Sequence, residues 1–403
     1  MEFIEFWRYD AEITIGWGQS TMKTLLTSIM AGALVLASVA YAGDGGGAPG
    51  AGSATTTGVM RDLTSVEMSK QMSPGWNLGN TLEALPDETS WGNPRATQEL
   101  MDAVRAAGFK SVRIPVSWTA HADSDDIISS HWMARVTEVV NYARNAGLYV
   151  ILNEHWDGGW QQPTAAKQAE VNARLAKLWT QIAENFKDYD DYLLFAGTNE
   201  VGVAGVYGPP SAENAAVQNS FNQTFVNAVR ATGGNNAKRV LVVQGYNTNI
   251  DATVANAVVP ADTAANRLMM EVHYYDPYNF TINEKSQIWQ WGAIATDPNA
   301  TETWANEAYA DAQFDKMKTH FIDKGVAVIL GEYSAMMRGE YTGHERYRVY
   351  WDIYITKSAY KHGLVPVYWD SGNTGNHAAG LFNRKTGVQP YPYLVDALVK
   401  MTQ

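Results

Sequence analysis

Eight stretches of the chain are almost continuously apolar and end in polar residues: GWNLGN (75–80), SVRIPVSW (111–118), YVILNEHW (149–156), LLFAGTNE (193–200), VLVVQGYN (240–247), LMMEVHYYDP (268–277), VAVILGEYS (326–334) and PVYWDSG (366–372). Most show no period-two alternation, which is how strands buried on both faces read. Segments with helical periodicity lie between them, among them ATQELMDAVRAAG, WMARVTEVVNYARNAG and NARLAKLWTQIAENF. Gly108, Gly147, Gly325 and Gly363 each close such a segment just before the next apolar run, as helix C-caps do. Strand and helix alternating in this way predict an α/β fold made of a single (β/α)8 TIM barrel. The main rival, a doubly wound open sheet for a dinucleotide, would carry a Gly-rich first turn, and GWNLGN lacks that spacing.

The polar residues collect at one end of these runs. Asn77 and Asn80, Arg113, His155, Asn199 and Glu200, Gln244 and Asn247, His273 and Tyr275, Glu332, then Trp369 and Asp370 follow the apolar segments. The opposite ends supply little comparable. In a parallel barrel the C-terminal strand ends share one face, where active sites sit, so the one-sidedness points to a site. Two of these residues are carboxylates, Glu200 after the fourth strand and Glu332 after the seventh. Paired carboxylates in different surroundings are what glycoside hydrolysis needs: one protonated to protonate the leaving oxygen, the other ionised to attack the anomeric carbon. Glu200, at the end of an apolar run, is expected to be poorly solvated and raised; Glu332, near Arg113 and Tyr275, is expected to stay ionised.

Composition narrows the partners. The 403 residues carry a formal net charge of −12 with no Lys/Arg cluster, which argues against nucleic acid or an anionic membrane and suits a neutral substrate. There is no Cys, so disulfides, thiolate catalysis and Cys-ligated metals are excluded. No carboxylate–His set has metal-ligand spacing, and no metal or other cofactor is expected. Of the 14 Trp, Trp91 in SWGNP and Trp156 with Trp160 in HWDGGW fall in loops after the first and third strands, where they are expected to line a groove. Each has a core alternative. The chain is expected to act as a monomer.

The first 58 residues do not read as fold. From Met22, Lys23 precedes a mostly apolar run, Leu25 to Ala40, and Ala40-Tyr41-Ala42 fits a small-x-small cleavage site, so residues 22–42 are expected to be a secretory signal peptide. The protein is then secreted or periplasmic. Residues 1–21, with Glu2, Glu5, Asp10 and Glu12, are wrong for the start of a signal and are expected to be an upstream mis-start or an added segment. Residues 43–58, GDGGGAPGAGSATTTG, read as a flexible linker, leaving 59–403 as the catalytic domain.

Seven motifs in order give the domain a specific resemblance: GWNLGNTLEA (75–84), VRIPVSW (112–118), NEHWDGGW (153–160), TNEV (198–201), VHYYDPY (272–278), ILGEY (329–333) and PVYWDSG (366–372). Over residues 70–400 the chain resembles glycoside hydrolase family 5 of clan A, especially its bacterial endo-β-1,4-glucanases (cellulases). The resemblance implies a retaining enzyme acting on β-glucan through a covalent glycosyl-enzyme, with Glu200 as acid/base and Glu332 as nucleophile. It implies supporting roles for Arg113, His155, Asn199, His273, Tyr275 and Trp369. On physical grounds Arg113 and Tyr275 can donate to Glu332, Asn199 can hold the sugar 2-hydroxyl, Trp369 offers a face to the sugar, and Asn77 is placed to bind substrate.

Three positions depart from the family pattern: Ala196 stands where many members have an acid, Val201 where many have Pro, and Trp156 where many have a second His. These leave the substrate open between a glucan, a mannan and a xyloglucan. Glu154 and Glu271 add carboxylates, which alternation from His155 turns toward the helices. A non-catalytic carbohydrate-binding barrel is a further reading, against which both glutamates are retained. A phosphate-handling barrel is another, and no Gly-rich loop after the last strands supports it.

Overall fold

A computed structural model describes residues 58–403. The expectations for residues 1–57 lie outside the described residues. Eight parallel strands close into a barrel in chain order: β1 (Gly75–Asn77), β2 (Ser111–Ile114), β3 (Tyr149–Asn153), β4 (Leu193–Ala196), β5 (Leu241–Gln244), β6 (Leu268–His273), β7 (Ala327–Glu332) and β8 (Val365–Tyr368). The first and last strands pair, Gly75 with Val367, so no edge is left and the open-sheet alternative is set aside.

Helices follow the strands. A short α1 (Ser65–Ser69) precedes β1; α2 (Gln98–Ala106), α3 (Ser130–Asn145), α4 (Ala165–Asn185) and α5 (Ala212–Ala231) follow β1 to β4. Then come α6 (Ile250–Asn256), α7 (Tyr278–Thr281) with α8 (Glu307–His320), α9 (Glu345–Lys361) and α10 (Pro392–Lys400). The helical periodicity arises because each helix lays one apolar stripe on the sheet: Leu175, Leu178, Trp179 and Ile182 of α4 are fully buried. Gly108, Gly147, Gly325 and Gly363 all have positive φ, which fits the expected caps.

The core has two layers. A large cluster lies between sheet and helices. A smaller one fills the barrel with Ile151, Leu194, Val242, Met269, Ile329 and Val367, and Met68 and Met72 of the α1 segment join it. Inward positions toward the C-terminal ends of the strands change from apolar to polar: Asn77, Arg113, Asn153, Gln244 and Glu271 are all buried there. Burying such groups is tolerable only if they are hydrogen-bonded: Arg113 joins Asn77 and Glu271, Gln244 bonds Glu271, and Asn153 bonds the Val116 N–H and His155.

The strands are shorter than the apolar runs. His155, Asn199, Glu200, Tyr275 and Trp369 therefore stand in the loops immediately beyond their strands. One irregularity matters for chemistry. Val272 pairs with Leu330 but His273 pairs with Glu332, leaving Gly331 as an extra residue in β7. A bulge of this kind re-aims the next side chain, and Glu332 meets Arg113 and His273 at the barrel mouth.

Candidate active site

Arg113 organises the floor. Its Nη1 donates to Glu332 Oε1 at 2.9 Å and to Asn77 Oδ1 at 3.1 Å, its Nη2 donates to Asn199 Oδ1 at 2.6 Å, and its Nε forms an ion pair with Glu271 Oε1 at 2.8 Å. Tyr275 Oη donates to Glu332 Oε2 at 3.1 Å. With Arg113 holding the carbonyl oxygen of the Asn199 amide, its NH2 is left to donate to a bound sugar.

His273 bridges the carboxylates: its Nδ1 lies 2.7 Å from Glu200 Oε1 and 3.6 Å from Glu332 Oε2, and its Nε2 lies 3.3 Å from Glu271 Oε1. An oxygen of Glu200, an oxygen of Glu332 and a ring nitrogen of His273 all lie within 4.8 Å of one another. That spacing would also suit a cation, but Arg113 already supplies positive charge to Glu332 at 2.9 Å.

His155 Nδ1 lies 3.0 Å from Asn153 Nδ2, while Asn153 Oδ1 accepts from the Val116 N–H. The amide nitrogen therefore donates to Nδ1, and the ring presents Nε2–H outward. Burial, with Arg113 and His273 nearby, holds His155 well below the usual histidine range, so it is neutral. Trp369 lies parallel to His155 at 5.9 Å, and Gly79 gives its indole room, since a Cβ there would sit 2.9 Å from the ring.

The charges are ordered differently from the sequence expectation. Burial pushes Glu332 up by more than the charges of His273 and Arg113 hold it down, and the charges of Glu200 and Glu271 add to the rise. Burial would also raise Glu200, but the bond from His273 and the nearby positive charges hold it below the usual carboxylate range. The Glu200 side chain is 42 % exposed at the mouth, and the raised acid expected from the apolar run is not present in the open site. The reason is His273, which bonds Glu200 directly and is raised to about 9: burial lowers it, while Glu332, Glu200 and Glu271 more than offset that.

Three further expectations change. Asn77 is fully buried, its NH2 donating to the Gly331 carbonyl at 2.8 Å and its oxygen accepting from Arg113, so it aims Arg113 and does not meet substrate. Trp160 is half-buried against the core; its indole N–H donates to Glu154 Oε1 at 3.2 Å and Arg174 covers its face, so it fastens the loop instead of offering a platform. Glu271, assigned to the helix side, faces into the barrel. It lies two residues before His273 on the same strand, and the parity that turns Glu154 outward on β3 does not carry over to β6. Glu154 itself is satisfied by Trp160 and by Gln161.

Trp91 and Trp156 are 47 % and 57 % exposed. Trp156 lines a cleft of about 200 Å³ with His155, Asn199, Glu200 and Gln162. A larger hollow of about 570 Å³ lies on the outer face of α3, lined by Met133, Glu138, Tyr142 and Asn185, and has no share in this chemistry. Trp91→Ala is expected to slow polymer turnover roughly 2- to 13-fold, one stacking contact of about 0.5–1.5 kcal/mol, with little change in melting temperature. Unfolding with unchanged activity per folded molecule would return Trp91 to the core.

A family model for cellulases, glycosyl hydrolase family 5, matches residues 76–375. The chain is 40% identical over 367 residues to endoglucanase A of Paenibacillus barcinonensis, covering 85% of this chain and 92% of that one. A solved Bacteroides ovatus family 5 xyloglucanase in complex with a XXXG heptasaccharide superposes with a TM-score of 0.81 at 43% identity, over 85% of this chain and 77% of that one. A broad-specificity endoglucanase of Bacteroides salanitronis gives 0.79 at 42% identity, over 84% and 94%. With this match across most of the barrel, the chain belongs to glycosyl hydrolase family 5 and is a glycoside hydrolase.

Proposed function

We propose that this enzyme cuts internal β-1,4 bonds of glucan chains with net retention, using Glu332 as nucleophile and Glu200 as acid and then base. The observation that carries the reading is that an oxygen of Glu200 and an oxygen of Glu332 lie within 4.8 Å of each other, with one ring nitrogen of His273 reaching both. A retaining pair stands about 5–5.5 Å apart, whereas an inverting pair needs about 6.5–9.5 Å to admit a water. Glu332 attacks the anomeric carbon while Glu200 protonates the departing oxygen; Glu200 then takes a proton from the water that releases the sugar. Arg113 and Tyr275 donate to Glu332. His155 Nε2–H, the Asn199 amide and the Trp369 face meet the sugar.

The open site does not yet have its proton on Glu200. A chain bound over the pair removes water from Glu200 and raises it, so the proton of the pair moves there and Glu332 is left ionised between its donors. The sign follows. The profile of kcat/KM reports the free enzyme and that of kcat the complex. The alkaline limb of kcat is therefore expected at higher pH than that of kcat/KM, and coincident limbs would contradict this account of Glu200.

The relatives named above act on glucans; one is a xyloglucanase and another a broad-specificity endoglucanase. Xyloglucan, a β-1,4-glucan with side chains, is therefore the second substrate reading. Reducing-end release measured on soluble β-1,4-glucan, xyloglucan and mannan tests both, with viscosity falling early because cuts are internal. Activity on mannan alone would overturn the glucan assignment. We further propose that the protein is exported and works as a monomer. Export rests on Lys23, the apolar run and Ala40-Tyr41-Ala42, and an intact Met1 or Met22 in the natural product would contradict it.

A further inference from the structure

The steps above give no task to the buried charge that touches both Arg113 and His273. Glu271 is fully buried inside the barrel. Its carboxylate pairs with Arg113 Nε at 2.8 Å, accepts from Gln244 Nε2 at 2.7 Å and lies 3.3 Å from His273 Nε2. Gln244 is fixed in turn, because its oxygen accepts from the Thr198 N–H at 3.1 Å and hydroxyl at 3.0 Å. The backbone makes room for the carboxylate: a Cβ at Gly331 would overlap it. Gly331 is also the extra residue of the β7 bulge, so one glycine both admits Glu271 and turns Glu332 into the site.

Charge counting gives Glu271 its role. The titratable and charged groups facing His273 are Glu200, Glu271 and Glu332, with Arg113 and neutral His155 nearby and Tyr275 across Glu332. When substrate is bound and the single proton of the pair is on Glu200, the ionised carboxylate that remains is Glu332, and Arg113 is bonded to it. A charged His273 would then lack a counter-ion, and an unpaired buried charge is strongly unfavourable. Glu271 supplies the missing charge.

We propose that Glu271 is a positioning residue, the buried counter-ion that keeps both ring nitrogens of His273 protonated and Nδ1–H aimed at Glu200 throughout the reaction. The inference rests on Glu200 and Glu332 being the catalytic pair. The proton that Glu200 gives to the leaving oxygen is then the only one that moves: the O–H bond on Glu200 breaks, the new O–H bond forms on the departing sugar, and the His273 protons stay. His273 meets the newly formed Glu200 carboxylate as a charged donor, which steadies it until it takes a proton from water. The raised His273 and a Glu271 carboxyl held down to about 2, where the Arg113 charge and the His273 bond overcome burial, agree with the geometry.

The test is the charge of His273, read by nitrogen NMR of the full chain labelled at histidine, with the signal assigned by its loss in His273→Gln. In the unmodified protein the ring should be doubly protonated at about pH 7. In Glu271→Gln it should lose its proton at least about one pH unit lower. In that variant kcat should fall about tenfold or more with KM little changed, because Glu271 does not touch substrate. Glu271→Asp, which keeps the charge, should restore the titration at least in part. An unchanged His273 titration in Glu271→Gln, or a neutral ring in the unmodified protein at about pH 7, would overturn the proposal. Should Glu271→Gln not fold, the unmodified protein and Glu271→Asp decide it. The NMR reading needs no substrate, so a wrong assignment of the catalytic pair would appear in the kinetics and labelling while this titration stood.

Discussion

Glu332→Ala is expected to abolish turnover of every substrate, activated or not, with kcat falling by roughly 10⁴ or more, about 5 kcal/mol of lost transition-state stabilisation. Without the carboxylate no glycosyl-enzyme forms, and a better leaving group does not replace a nucleophile. The fold should survive. Arg113 keeps its ion pair to Glu271 and its bond to Asn199, so no buried cation is stranded, and one member of a crowded set of carboxylates is removed. Melting temperature and kcat measured on the same preparation separate the two effects. Substantial activity on an aryl glycoside with the fold intact would mean that another residue attacks.

Glu200→Ala is expected to fail differently. Only the proton donor and later base is lost, so polysaccharide turnover should fall by orders of magnitude. An aryl glycoside whose leaving group needs no proton should still load Glu332 quickly and then hydrolyse slowly, giving a burst. Added azide needs no base, and the 42 % exposed position of the Glu200 side chain leaves it a path to the anomeric carbon. It should relieve the slow step and yield a β-glycosyl azide. An α-configured azide, or loss of the burst in this variant as in Glu332→Ala, would mean that the two roles are exchanged or misplaced.

What could be read from the sequence was set by which physical patterns are local. Continuous apolar runs such as LMMEVH and AVILGE are legible because a barrel strand is buried on both faces. Arg113, Glu200 and Glu332 are legible because charges at the ends of such runs are improbable without a task. Glu271 was misread because side-chain parity was counted from His155 on β3, whereas each strand starts its own count. The β7 bulge at Gly331 has no period of its own, and its effect shows only once Leu330 and Glu332 are paired with Val272 and His273. Trp156 and Trp160 stand in the same loop with the same chemistry, and only the contact of Trp160 with Glu154 tells the fastener from the platform. The acidity of Glu200 depended on the 2.7 Å contact with His273, some seventy residues away in sequence, and that of Glu332 on its burial beneath the mouth.

The central claim, that Glu332 attacks the sugar, is tested most directly by trapping the glycosyl-enzyme. An aryl 2-deoxy-2-fluoro-β-cellobioside slows both steps through its fluorine but keeps the first one accessible through its leaving group, so the covalent species accumulates. Peptide mapping by mass spectrometry should then place the added sugar on the peptide carrying Glu332, at that residue. Label on Glu200, or no label together with a first-formed product of α configuration, would contradict the account.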